Sequence, residues 1–417
     1  MSRRDFYYLD NNATTQVAPE VFAAMVPFLT EQWGNPSSAY AFGRNAAEHV
    51  EVARAKAAAL LNAEPREVVF TSCGTESNNS ALRSALETNP GKRHIVTTAV
   101  EHSATIKYCQ HLQKTGFEIT LLPVESDGSI DLHLLEKSIR PDTAIVSAMW
   151  ANNETGVVFP IEEIAAICRS KNVLCHTDAV QIPGKLAIDV ASLGVDFLSL
   201  SAHKFHAPKG IGLLYVRRPT RFQPYIIGGQ QERGYRGGTE NVAFIVGLGR
   251  AAEMAVSILD DENRRVRGFR DRLEGTILKT IPGTTRTGAG EPRLPNTSNI
   301  AFDGLEAEAL LLNLDQAGIC ASSGSACTTG SLEPSHVLTA MGMSPARARG
   351  CIRFSLGVYN NDEDVDHLLK HLPGIVARLR AELPPLDAQS GRGRKRTTHR
   401  ETRPDPGAAT GVGAGVV

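Results

Sequence analysis

Between about residues 65 and 216 the chain alternates short, continuous apolar runs with stretches whose apolar residues recur at helical spacing. The runs Glu67–Thr71, His94–Ala99, Glu118–Pro123, Ala144–Met149, Val173–Thr177, Phe197–Ser201 and Gly212–Val216 read as strands. Glu76–Glu87, Ala104–Lys114, Leu132–Ile139 and Ile161–Ser170 read as helices between them. Strands that are apolar throughout are buried on both faces. The pattern therefore predicts an α/β fold, a mostly parallel sheet covered by helices on either side. Ligands in such sheets lie beyond the carboxyl ends of the strands. The polar motifs SCGTES, EHSA, ANNETG, TDAVQ and SAHK fall at those ends.

The character changes after about residue 258. A charged helical segment, Asp260–Lys279, leads into Pro282–Pro295, which is rich in Gly, Pro, Thr and Arg and reads as a loop. Shorter strand and helix signals then run to about Leu383, as in a smaller α+β domain. The last part, Asp387–Val417, has too few apolar residues to offset chain entropy and reads as a disordered tail with a basic patch at Arg392–Arg396.

Length and charge narrow the choices. A chain of 417 residues exceeds one comfortable core, so two domains are expected. A net charge of -1 and a pI near 6.9 give no general reason to bind nucleic acid or membranes. No apolar run approaches the roughly 20 residues that span a bilayer, and MSRRDFYYLDNNATT lacks the apolar core of a secretory signal. The seven cysteines are scattered without a C-x-x-C pair. That predicts no intrinsic metal site, no disulfide framework and a reducing cytosol.

The chemistry concentrates at the strand ends. Val195–Gly212 reads VDFLSLSAHKFHAPKGIG, with Lys204 just past an apolar strand. A lysine there ordinarily snorkels to solvent. The site also suits an amine that must be neutral part of the time, as in a Schiff base. Asp178 follows another strand, where a carboxylate can pair with a protonated pyridine nitrogen or simply cap a helix. Gly74 and Thr75 open a helix, where free amides and the dipole suit a phosphate. His102 could lie flat on a ring, and Ser201 and His203 could add phosphate donors. Each signal alone has a structural reading. Their joint placement implies a pyridoxal phosphate site. Cys327 lies in SSGSACTTGSLEPSHV among small residues, a setting for a mobile, exposed thiol rather than a buried one.

In order along the chain come YLDNNATT, GNPSS, FTSCGTES, VEHSA, WANNETG, HTDAVQ, SAHKFHAPKG, QERG, GGTEN, SSGSACTTGSLEPSHV and IRFSLG. The chain thereby resembles the cysteine desulfurases, pyridoxal phosphate enzymes of the class V aminotransferase superfamily (fold type I), and within them the nitrogen-fixation branch. The resemblance runs from Leu9 to Gly357. It implies that Lys204 is the Schiff-base lysine, that His102 stacks on the ring, that Asp178 pairs with the pyridine nitrogen and that Gln181 bonds the phenolic oxygen. Gly74, Thr75, Ser201 and His203 would hold the phosphate, with Thr239 supplied by the other subunit of a homodimer. Asn153 would contact cofactor and substrate. Arg353, helped by Asn35, would clamp the substrate carboxylate through its fork. Cys327 would be the nucleophile that takes sulfur from L-cysteine, leaving L-alanine and a persulfide. An iron–sulfur scaffold would accept that sulfur, for nitrogenase maturation, with Cys327 transiently ligating a cluster during transfer. Cys73 is expected only to pack.

The expected organisation is a segment 1–15 packing with the small domain, a large cofactor-binding domain 16–258, a small domain 259–384 carrying the thiol loop, and the tail 385–417. Selenocysteine lyase and aminotransferase activities remain alternatives, as does a silent sulfur-transfer docking protein.

Overall fold

The computed structural model describes residues 6–288, 292–323 and 334–382. Cys327 and the expected tail, 385–417, lie outside these residues. The chain begins with β1 (Tyr7–Tyr8), α1 (Pro19–Thr30) and α2 (Ala41–Leu61). Strands and helices then alternate through β2 (Val68–Thr71), α3 (Gly74–Glu87), β3 (His94–Thr98), α4 (Ser103–Lys114), β4 (Glu118–Leu122), α5 (Leu132–Ser138) and β5 (Thr143–Met149). They continue as α6 (Ile161–Ser170), β6 (Leu174–Asp178), α7 (Val190–Leu193), β7 (Phe197–Ser201) and β8 (Gly212–Val216). Next come α8 (Val242–Ser257), α9 (Leu259–Thr280), β9 (Thr284–Arg286), β10 (Thr297–Phe302), α10 (Ala307–Gln316) and β11 (Ile319–Cys320). The described chain closes with α11 (His336–Ala340), α12 (Pro345–Ala348), β12 (Cys351–Ser355) and α13 (Asp362–Glu382).

Seven strands form one sheet in the order β2-β8-β7-β6-β5-β3-β4. All run parallel except β8, which is antiparallel to both β2 and β7. Side chains alternate across the strands, so each strand serves two cores. Val68, Phe70, Val96, Val146, Leu198 and Leu213 enter one, and Val69, Ile95, Ile145, Phe197 and Leu214 the other. The expected α/β fold is thus observed: β7 and β8 have their predicted bounds, and the other five strands differ from theirs by one residue. The carboxyl ends of β2, β3, β5, β6 and β7 share one edge.

A third core gathers Leu9, Leu273, Ile300, Phe302, Leu310, Phe354 and Leu368 around the antiparallel sheet β12-β10-β9. Pro282–Pro295 is not wholly a loop. It contains β9, which pairs with β10 through Arg286 and Ile300. The N-terminal strand joins this region, with Tyr7 opposite Ile319 on β11 and Asp10 bridging to Ser355. Among the described residues no single helix is long and apolar enough to cross a membrane, and no cluster of three or more His, Cys, Asp or Glu could hold a metal.

Candidate active site

One wall of the site is the row of strand ends. After β2 the chain turns into α3 at Gly74 without a side-chain cap on Cys73, leaving the first-turn amides and the positive end of the helix dipole for an anion. Gly74 is needed for close approach: a Cβ there would lie 2.9 Å from Val180 Cγ2 and 3.3 Å from Ser201 Cβ. Glu76 braces the turn, accepting from Ser72 N at 2.8 Å and Arg236 Nε at 3.0 Å. After β3, His102 caps α4, its Nδ1 accepting from Ala104 N at 3.2 Å. That contact fixes the ring and leaves the proton of the neutral imidazole on Nε2.

Asp178 ends β6 with its carboxylate buried. Asn78 Nδ2 on α3 donates to Oδ2 at 2.7 Å and Val180 N to Oδ1 at 3.0 Å. A carboxylate so held stays oriented toward the cavity it lines. Past β7, His203 Nδ1 lies 3.0 Å from Thr14 Oγ1, and burial, then Lys204, Lys209 and His102, push its pKa down to about 4. His203 is therefore neutral at physiological pH.

The facing wall comes from the N-terminal segment and β12. Lys204 Nζ donates to the Asn12 carbonyl at 2.8 Å and the Ala13 carbonyl at 2.7 Å. The Asn12 carbonyl also accepts from Gln181 Nε2 at 3.0 Å. Asn12 Nδ2 reaches the Asn153 carbonyl at 3.1 Å and Thr297 Oγ1 at 2.8 Å, while its backbone N–H donates to Ser355 Oγ at 2.9 Å. Arg353 is 1% exposed, and its Nη1 donates to the Asn153 carbonyl at 3.0 Å and its Nη2 to Asp10 Oδ1 at 2.6 Å. The strand pairing of Arg353 with Ser322 brings the start of the Cys327-bearing stretch to this wall.

Two buried acids complete the site. Glu101 Oε1 accepts from Thr98 Oγ1 and Met149 N, both at 2.8 Å, while Oε2 has no partner among the described residues. Burial pushes Glu101 up to about 8, so it is mostly protonated at neutral pH. Burial also raises Glu154, although Ser335 Oγ donates to its Oε2 at 2.6 Å. His336 Nε2 meets the Glu101 carbonyl at 2.9 Å. Ser335 and His336 thus tie the far end of the Cys327-bearing stretch to the strand-end wall.

The predicted residues Gly74, Thr75, His102, Asn153, Asp178, Gln181, Ser201, His203, Lys204 and Arg353 all line one cavity of about 590 Å³. Asn35 and Thr239 are exposed and do not line it. Cys73 does line it. Sequence reasoning assigned no role to Asn12, Asn78, Glu101, Glu154, Ser335 or His336. YLDNNATT, VEHSA and WANNETG held three of these in plain view, Asn12, Glu101 and Glu154, but nothing local distinguishes them from solvated polar residues.

Pyridoxal phosphate fits this donor set. The Gly74 turn lets backbone amides come close to a phosphate, Asp178 offers an oriented carboxylate, and Lys204 offers an amine within the same cavity.

Residues 7–368 match the Aminotransferase class-V family, and the chain belongs to it. Its relatives are narrower in kind. It is 54% identical to cysteine desulfurase 2 of Trichormus variabilis over 90% of this chain and 94% of that one. It is 50% identical to the cysteine desulfurase NifS of Azotobacter vinelandii, again over 90% and 94%. The solved structure of a NifS-like protein superposes with a TM-score of 0.85 at 41% identity, covering 90% of this chain and all (100%) of that one.

Proposed function

We propose that this chain is a pyridoxal phosphate-dependent cysteine desulfurase that converts L-cysteine to L-alanine and a persulfide on Cys327 for iron–sulfur cluster assembly. The observation that carries this reading is the convergence of Lys204, Asp178, His102, Gln181 and the Gly74 turn on one cavity that also holds Arg353. Lys204 would bond the cofactor aldehyde, Asp178 its ring nitrogen and Gln181 its phenolic oxygen. His102 would face the ring, with Gly74, Thr75, Ser201 and His203 on the phosphate. Once bound, pyridoxal phosphate supplies an electron sink for charge developing at the substrate Cα.

The chain's own residues do the rest. Arg353 orients the amino acid by its carboxylate, with Asn153 beside it. Lys204 Nζ, released by the substrate amine, takes the Cα proton. Its hydrogen bonds to the Asn12 and Ala13 carbonyls hold that amine in place between steps. Cys327 Sγ, as thiolate, then attacks the substrate sulfur. The Cβ–S bond breaks, its electrons stay with the alanine fragment, and the sulfur remains on Cys327. Cys327 is four residues from Ser323, so covalent geometry limits its Cα to within about 14 Å of that residue. Holding thiol and substrate together makes the attack effectively unimolecular, worth up to about 7–11 kcal/mol in ideal cases.

The same thiol would hand its sulfur to an iron–sulfur scaffold, in keeping with the nitrogenase-maturation role expected of this branch. A homodimer completes the reading. Phe22, Leu29, Trp33, Tyr40 and Phe42 on α1, α2 and the turn between them are exposed, and large exposed apolar groups of this kind mark interfaces. A second copy there would also give exposed Thr239 an active site to serve. The six described cysteines are free, which suits a reducing cytosol.

The test is L-alanine and sulfide release from L-cysteine by purified protein, with and without reductant. Borohydride reduction should leave the cofactor on Lys204. Cys327→Ala should lose alanine formation while keeping the bound-cofactor absorbance; sustained turnover in that variant removes Cys327 from the reaction.

A further inference from the structure

Resting on the pyridoxal phosphate reading, one further group stands out: Lys185, a second lysine close to Lys204 that the mechanism above does not use. It follows β6 by a tight turn in which Gly184 takes φ +72°. It lines a small second cavity of about 60 Å³ that also touches Lys204, Gly357 and Val358. Its Nζ donates to Gln181 Oε1 at 3.0 Å and to the Gln181 carbonyl at 3.1 Å. Among the described residues no carboxylate pairs with it, and Glu262, in the same small cavity, is engaged by Arg265. Burial, then Lys204 and Arg353, push its pKa down to about 7. An amine placed near two cations, with no carboxylate beside it among the described residues, is costly to charge, and groups perturbed in this way cluster at functional sites.

Hydrogen-bonding capacity shows what the amine does. Lysine Nζ carries N–H donors in either protonation state, and here it donates to the Gln181 amide oxygen and backbone carbonyl. The Asn12 carbonyl only accepts, so the Gln181 atom facing it must be the nitrogen. The Asn12 contact sets the flip of the amide and the Lys185 contact holds its oxygen in the same sense. With Oε1 turned to Lys185, Nε2 keeps a second N–H to offer the cavity. The Asn12 carbonyl in turn holds Lys204. The result is a chain from Lys185 Nζ to Gln181 at 3.0 Å, Gln181 to Asn12 at 3.0 Å and Lys204 Nζ to Asn12 at 2.8 Å.

We propose that Lys185 is a positioning residue: it locks the Gln181 amide so that a donor, not an acceptor, meets the phenolic oxygen of pyridoxal phosphate. The experiment titrates apoprotein with pyridoxal phosphate by absorbance and measures apoprotein melting. Lys185→Met should weaken cofactor binding about tenfold without lowering the melting temperature, because it also removes an amine that is costly to charge in place. Lys185→Arg should restore binding. In a Gln181→Ala background the Lys185→Met effect should vanish, since the lysine acts through that amide. Should Lys185→Met fail to fold, Lys185→Gln carries the same comparison. Unchanged affinity in the single variant, or an undiminished loss in the Gln181→Ala background, overturns the inference. So does a loss of affinity matched by an equal loss of apoprotein stability. Wild-type protein that takes up no pyridoxal phosphate overturns the functional reading itself; wild-type uptake with an unaltered Lys185→Met overturns this inference alone.

Discussion

The two walls of the cavity are built in different ways. On one, Gly74, His102, Asp178 and Lys204 each sit within four residues of a strand end, and their own turn or helix cap aims them. On the other, Asn12 and Arg353 are placed by partners as far as 343 residues away in sequence. The first wall is a property of one sheet. The second exists only when the two ends of the described chain meet. The strand-end wall should therefore govern cofactor binding, and the opposite wall the grip on the substrate.

The sharpest way to break this division is Arg353→Ala. It should lower kcat/KM for L-cysteine about a thousandfold, about 4 kcal/mol, by leaving the substrate carboxylate without its buried partner. Bound-cofactor absorbance should survive. Loss of the cofactor in that variant would merge the two walls into one unit.

Acid tests the sheet wall next. His176 on β6 lies between Ser147 Oγ at 2.8 Å and Ser199 Oγ at 2.9 Å, and burial lowers its pKa to about 4. The unfolded chain, with an ordinary histidine near ~6.5, binds this proton first as pH falls. Stability should therefore decline between about pH 6.5 and 4, by about 3 kcal/mol for this group. Denaturant titrations across that range should show a shallower decline in His176→Asn. An identical slope would place the acid sensitivity elsewhere.

The smallest of these three effects is expected for Asn78→Ala, which removes the 2.7 Å donor to Asp178. A hydrogen bond to a buried charge is worth about 2 kcal/mol, so cofactor affinity should fall about thirtyfold. KM for cysteine, measured at saturating cofactor, should stay within about twofold. A larger change in KM would show that the strand ends also shape the substrate end.

The same contrast explains what the sequence revealed. Continuous apolar runs located every strand of the large sheet, and the rule that ligands lie beyond strand ends found Lys204, Asp178 and His102. β9 was missed because it is a three-residue edge strand, Thr284–Arg286, next to a glycine and near two prolines. Asn12 and Asn78 were missed because an asparagine buried by distant partners carries no periodic signal. Glu101 and Lys185 were missed for a related reason: only their surroundings reveal that they are titratable groups whose charged forms are disfavoured. Asn35 and Thr239 are the converse, named by resemblance yet outside the cavity of a single chain.

The many-partnered Asn12 sets a timetable for biosynthesis. Residues 9–15 are made before the residues 296–297, 355 and 360 on which several of their hydrogen bonds depend. A nascent chain stopped short of β12 would carry the phosphate turn, Asp178 and Lys204 but have no guanidinium to seat an amino acid. Competence to grip an amino acid thus arrives only once β12 has been made.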